Sequence, residues 1–241
     1  MIKLLFLLLN GAKLGKLLMT GGSMLVSVVL YAWIFGWGYA VGFVAMMFLH
    51  EMGHFIAARQ RGLPVGLPTF IPFIGAWTQL GRMPHDAETE AYVGIAGPLA
   101  GTLAALVCYF FARDQNSPLL LAVAYSGFFL NLLNLLPVPL FDGGRVTAAI
   151  SRKIWFIGVP VLGGLLLWNP SPALLLMTLL AAPQLWSAWK TRHEVDHYFE
   201  VPLAKRLEYG LLYIGLIAYL AVMTGEVHDM LSSARSGGFP T

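Results

Sequence analysis

The stretch MFLHEMGHFIAARQ, residues 47–60, sets His50, Glu51 and His54 inside an apolar run. On a helix, residues four apart project from one face, one turn above the other, so the two imidazoles reach a common point. That spacing suits one Zn2+ held by two histidines, with Glu51 beside it to take a proton from a bound water. Zinc lowers the pKa of such a water to about 7, which supplies hydroxide at neutral pH. Gly53 thins the helix there and admits a neighbouring backbone. The competing reading is a buried histidine pair hydrogen-bonded to its surroundings. Ionisable groups within an apolar span are functional by default, and three on adjacent faces favour the metal.

A catalytic zinc needs a third protein ligand and an open position. Asp142, in FLNLLNLLPVPLFDGGRV (129–146), is the best candidate, being the only acidic residue between Asp114 and Glu194. Pro137 and Pro139 break the preceding helix, leaving Asp142 in an irregular segment that must be buried in protein or line a wet cavity. The plainer role for Asp142 is to cap a helix restarting near Arg145. Asn131 and Asn134, three apart on the same helix, either hold a substrate backbone or oxyanion or hydrogen-bond between helices. The His-Glu-x-x-His pattern recurs as HEVDH at 193–197, but within the polar stretch KTRHEVDHYFEVPLAKR. Water satisfies every group there, no third ligand is tied to it, and a solvated helical face is expected for His193 and His197.

The elements that must position the first motif are membrane helices. The chain has 241 residues, 58% hydrophobic and 11% charged, against about a quarter charged in a soluble domain. A crossing helix needs about 20 apolar residues, and the candidates are 17–37, 40–60, 91–112, 118–136, 154–168, 172–189 and 208–224. With a cytoplasmic N-terminus, 13 of the 15 basic residues fall inside and only Arg113 and Arg235 outside, a strong positive-inside bias. The net charge of +3 is thus a matter of topology, not a nucleic-acid surface. Residues 63–84 are apolar yet carry four prolines and three glycines, so they read as a hairpin or loop dipping into the bilayer edge, its extended runs TFIPFI and AWTQL flanking Gly75. The fold class expected is therefore an all-α polytopic membrane protein of six to seven spans with a small membrane-dipping β-hairpin after the second.

Three regions follow: an interfacial N-terminal helix over 1–16, a catalytic membrane core over 17–153, and further membrane helices over 154–241 with a cytoplasmic connector at 190–207. Lys13 and Lys16 stand where a signal-peptide cleavage site would need small residues. Cys108, the single cysteine, lies in an apolar run and is a small core residue. His85 and His228 carry no specific role, and Trp155 and Trp168 are expected as interface anchors.

HEMGH at the end of the second span, NLLPVPLFDGG after the fourth, and GIAGPLAG (94–101) opening the third resemble the site-2 protease family of intramembrane zinc metalloproteases. The resemblance covers roughly residues 40–150, and FIPFIGAW looks like that family's membrane-associated hairpin. It implies a single Zn2+ on His50, His54 and Asp142, Glu51 as general base, and Asn134 beside the scissile carbonyl. It also implies cleavage of single-span membrane-protein substrates within the bilayer, in a bacterial cytoplasmic membrane with the site near the cytoplasmic face. No PDZ or CBS module is visible, and residues beyond about 155 match no family motif. Two other readings stand beside it: a membrane zinc protease acting on soluble or lipidated peptides, and a metal-binding transporter or scaffold without hydrolysis. A third-ligand glutamate would suit the first of these, yet none lies between Glu90 and Glu194.

Overall fold

The structure, a computed structural model, describes residues 2–73, 75–168, 172–190 and 197–236. In chain order these form α1 (Ile2–Phe35), α2 (Trp37–Gln60), β1 (Thr69–Ile71), β2 (Gly75–Trp77), α3 (Ala87–Asp114), α4 (Pro118–Asn134), α5 (Asp142–Ile150), α6 (Trp155–Trp168), α7 (Pro172–Lys190) and α8 (Leu203–Ser236). Among the described residues, four helices are long and apolar enough to cross a membrane: Leu18–Phe35 within α1, α2, α3, and Leu203–Ala234 within α8. The protein is thus a multi-pass membrane protein, with α4 a shorter apolar helix of 17 residues.

α1 is one continuous helix, of which Leu18–Phe35 is the candidate span. No proline interrupts Ile2–Phe35, and its glycines singly cost too little to break the helix. Gly36, with φ of 87°, reverses the chain directly into α2. Asp86 caps α3, accepting the Thr89 N–H at 2.6 Å. Partial burial opposes its charge, but the bonds from Thr89 and the adjacent His85 hold its pKa below the usual carboxylate range.

The core is the α2–α3–α4 packet, closed on one side by α8. Phe128, Leu121, Ala105, Ala124 and Leu220 are fully buried in it. Close approach rests on small residues: a Cβ on Gly53 would collide with the Ala96 carbonyl of α3. The break after α4 is made by Pro137 and Pro139, as the sequence suggested, but the next helix begins at Asp142 itself rather than near Arg145. Protein groups satisfy this irregular backbone, as an apolar medium requires. Tyr213 of α8 donates to the Leu135 carbonyl, and in the first turn of α5 the Gly144 carbonyl accepts from the Trp155 indole at 2.8 Å. Trp155 therefore has a structural partner beyond the interfacial role expected; the Trp168 side chain lies outside the described residues.

The 63–84 segment holds a two-stranded antiparallel ribbon pairing Thr69 with Trp77, Phe70 with Ala76, and Ile71 with Gly75. It extends through a further bridge between Val65 and Leu80. α1 anchors one side: Ser23 Oγ accepts the Phe70 N–H at 3.1 Å and Tyr31 Oη accepts that of Phe73 at 3.0 Å. Because the Phe70 N–H points away from β2, the Phe70–Ala76 pair is of the non-hydrogen-bonded kind. Ala76 therefore turns its own N–H and C=O to the free edge of β2, towards the interior of the packet.

Candidate metal centre

His50 and His54 lie one turn apart on the buried face of α2, exposed by 3% and 5%, and Asp142 opens α5 at 8%. The glycines of GIAGPLAG make the room. A Cβ on Gly97 would strike the His54 ring, and one on Gly101 the Asn131 amide. These glycines house site side chains as well as permitting close helix packing.

Both rings are oriented by their Nδ1 atoms. His54 Nδ1 lies 2.8 Å from the Val93 carbonyl oxygen, which can only accept. His50 Nδ1 lies 2.8 Å from Asn131 Oδ1. That amide is fixed because its Nδ2 donates to the Gly127 carbonyl at 2.7 Å. Each Nδ1 therefore carries a proton, which leaves the Nε2 of each ring as the atom a metal could take.

Those atoms converge. The two Nε2 atoms are 3.1 Å apart, and Asp142 Oδ2 is 3.2 Å from each. Three such atoms at this spacing need a positive charge among them, a shared proton or a metal ion. Their spacing fits zinc: tetrahedral bonds of about 2.0 Å imply ligand–ligand edges of roughly 3.3 Å. Two imidazoles and a carboxylate also suit zinc chemically. Arg145 lies behind Asp142, its Nη1 3.6 Å from Oδ1, leaving Oδ2 for the metal.

Glu51 groups with the two histidines, one donor atom of each lying within 4.8 Å of the others. Its Oε2 accepts a hydrogen bond of 2.6 Å from Thr78 Oγ1, just beyond β2. Asn134, half-buried, lines the same cavity of about 790 Å3, as do Gly75 to Thr78, Tyr39, Phe43 and Leu130. The structure thus brings His50, Glu51, His54 and Asp142 together, with Asn134 on the shared cavity. Asn131 is turned away from the cavity, onto His50.

Sequence reasoning missed Thr78 and the Val93 carbonyl, which carry no motif. It noted Asn131 only as a buried amide of open role. The second His-Glu-x-x-His pattern falls largely outside the described residues, His193 included. His197 is exposed and pairs with Glu200 at 3.1 Å, as on a solvated face.

Residues 38–117 match the family described as Peptidase family M50. Over 110 residues the chain is 34% identical to Zinc metalloprotease MJ0392 of Methanocaldococcus jannaschii, covering 44% of this chain and 32% of that one. Over 118 residues it is 34% identical to "Probable zinc metalloprotease EGY1, chloroplastic" of Arabidopsis thaliana, covering 47% and 20%. The chain thus spans a third or less of the length of these curated relatives. A solved structure described as a site-2 protease from Methanocaldococcus jannaschii aligns with a TM-score of 0.46 at 23% identity, covering 72% of this chain and 88% of that one.

Proposed function

We propose that this chain, whose residues 38–117 match peptidase family M50, belongs to that family and is an intramembrane zinc endopeptidase that cleaves membrane-spanning substrates. The observation that carries the reading is the convergence of the His50 Nε2, His54 Nε2 and Asp142 Oδ2 atoms beside Glu51. A zinc ion held by these donors supplies a Lewis acid and an acidified water. Glu51 does the proton work. With Oε2 engaged by Thr78, Oε1 is free to accept the proton of the attacking water and return it to the leaving amide nitrogen. Asn134 is placed to hydrogen-bond the scissile carbonyl.

A helical substrate must first expose its backbone. The free edge of β2, with the Ala76 N–H and C=O directed outward, can pair with an unwound segment and satisfy its polar groups as the helix opens. Ala76→Pro removes one donor from that edge, so cleavage of an intact membrane substrate should fall while zinc content holds. Proline at Phe73 would instead disturb the turn, because its N–H bonds to Tyr31.

In the bilayer, α4 and the α6–α7 pair join the four long helices to give six or seven spans. Residues 17–153 form the core and 154–241 an accessory region. The basic residues put the site near the cytoplasmic face, and a bacterial cytoplasmic membrane suits that arrangement. Substrates are single-span membrane proteins.

Purified protein and Glu51→Gln are compared on membrane-embedded peptides, with zinc measured in both. The expected result is full zinc occupancy in both and a rate lower by about 10^2 to 10^4 in the variant. Equal turnover by both would overturn the mechanism. Zinc held by two proteins that both leave every peptide intact would favour a metal-binding scaffold instead.

A further inference from the structure

We propose that Glu90 forms the acidic wall of a subsite that takes a lysine or arginine side chain on the cytoplasmic flank of the scissile bond. This rests on the peptidase reading above. The main cavity continues past the metal donors into a smaller chamber of about 280 Å3, between the segment after β2 and the helices α3 and α5. Trp77, Glu90 and Arg145 line both spaces, while Gln79 and Met83 belong to the chamber alone. At about 30 Å3 of liquid per water, the chamber has the space of roughly nine waters, which suits one long side chain.

The charges around the chamber are unequally compensated. Asp86 caps α3 and pairs with His85 at 3.0 Å. Glu88 faces Arg61 at 3.8 Å, and Arg145 is turned to Asp142. Glu90 has no cation among the described residues; its polar partner is the hydroxyl of Tyr198, in the turn His197–Phe199. Burial and the Glu90 charge push that phenol above its ordinary pKa. Tyr198 therefore stays neutral, donating a proton without cancelling the carboxylate. What remains is a half-buried anion in a chamber that Trp77 and Met83 also line. Such a wall fits a long apolar stem with a cationic head, through ion pairing and cation–π contact.

Position agrees with this chemistry. Glu90 lies one turn of α3 before Val93, which holds His54, on the side of Arg61 and the start of α3. In the proposed orientation that side is cytoplasmic, where membrane segments carry their flanking lysines and arginines. A substrate strand on the free edge of β2 runs past Thr78 towards the chamber. Recognition of a juxtamembrane cation would also set how far the substrate slides into the site before cleavage.

The test uses membrane-embedded peptides identical except for one lysine, alanine or glutamate moved through the cytoplasmic flank. Cleavage is measured as kcat/KM with the full-length wild type, Glu90→Gln and Glu90→Lys. At one register, wild type should prefer lysine over alanine by about five- to tenfold. Glu90→Gln, which keeps an acceptor for Tyr198, should bring the ratio near one, and Glu90→Lys should favour glutamate. Because each result is a ratio within one protein, general damage to the fold cancels. Affinities for Glu51→Gln, alone and combined with the Glu90 changes, give the same ratios without turnover. Loss of all cleavage by wild type would thus overturn the peptidase reading while the subsite is still judged. A wild-type ratio within twofold of one at every register, or an unchanged ratio in Glu90→Gln, would overturn the subsite.

Discussion

Thr78 Oγ1 donates a 2.6 Å hydrogen bond to Glu51 Oε2, joining the residue after β2 to the proposed base across 27 positions of sequence. Both side chains are buried, at 7% exposure each. The bond fixes one carboxylate oxygen and so aims the other. It also ties the base to the same ribbon that offers its free edge to a substrate. Hydrogen bonds to charged groups contribute about 1.5–3 kcal/mol. Thr78→Val should therefore lower kcat about ten- to a hundredfold with zinc content unchanged, and Thr78→Ser should restore most of it. Equal kcat in the valine and serine variants would refute a positioning role for the hydroxyl.

Asn131 acts one step further out. Its amide fixes the tautomer of His50 while anchoring to the Gly127 carbonyl. Loss of such an outer partner typically weakens metal affinity 10- to 100-fold. Asn131→Ala should show that loss in competition with a zinc chelator. An Asn134→Ala variant, altered only on the cavity wall, should keep its zinc and lose turnover. If the two variants behaved alike in the chelator assay, the division of roles between the two asparagines would be wrong.

Gly97 tests the packing that holds the site. A Cβ there meets the His54 ring, whereas one on Gly163 or Gly164 of α6 meets nothing within 4 Å. Ordinarily Gly→Ala in a helix is stabilising by up to about 1 kcal/mol. Gly164→Ala should follow that rule. Gly97→Ala should instead displace the imidazole and strip the zinc, even where the helices stay assembled by circular dichroism. Normal zinc stoichiometry in Gly97→Ala would mean that α2 and α3 separate more easily than their packing implies.

Much of this was legible in the sequence because it depends on local periodicity. Apolar runs fix where helices lie, Pro137 and Pro139 fix where α4 ends, and an i, i+4 histidine pair is co-facial on any helix. The first His-Glu-x-x-His copy also stood out, since an apolar setting demands compensation that a polar one does not. Other features needed the fold. That the α5 helix begins at Asp142, bringing Oδ2 within 3.2 Å of both histidines, depends on how the proline turn packs under α8. The convergence of Thr78 on Glu51, Val93 on His54 and Asn131 on His50 spans 27 to 81 residues. One partner is a backbone carbonyl and the others are common polar residues, so no spacing announces them. Residue types and their period set which groups had to be held; the side-chain volumes between α2, α3 and α4 decided what holds them.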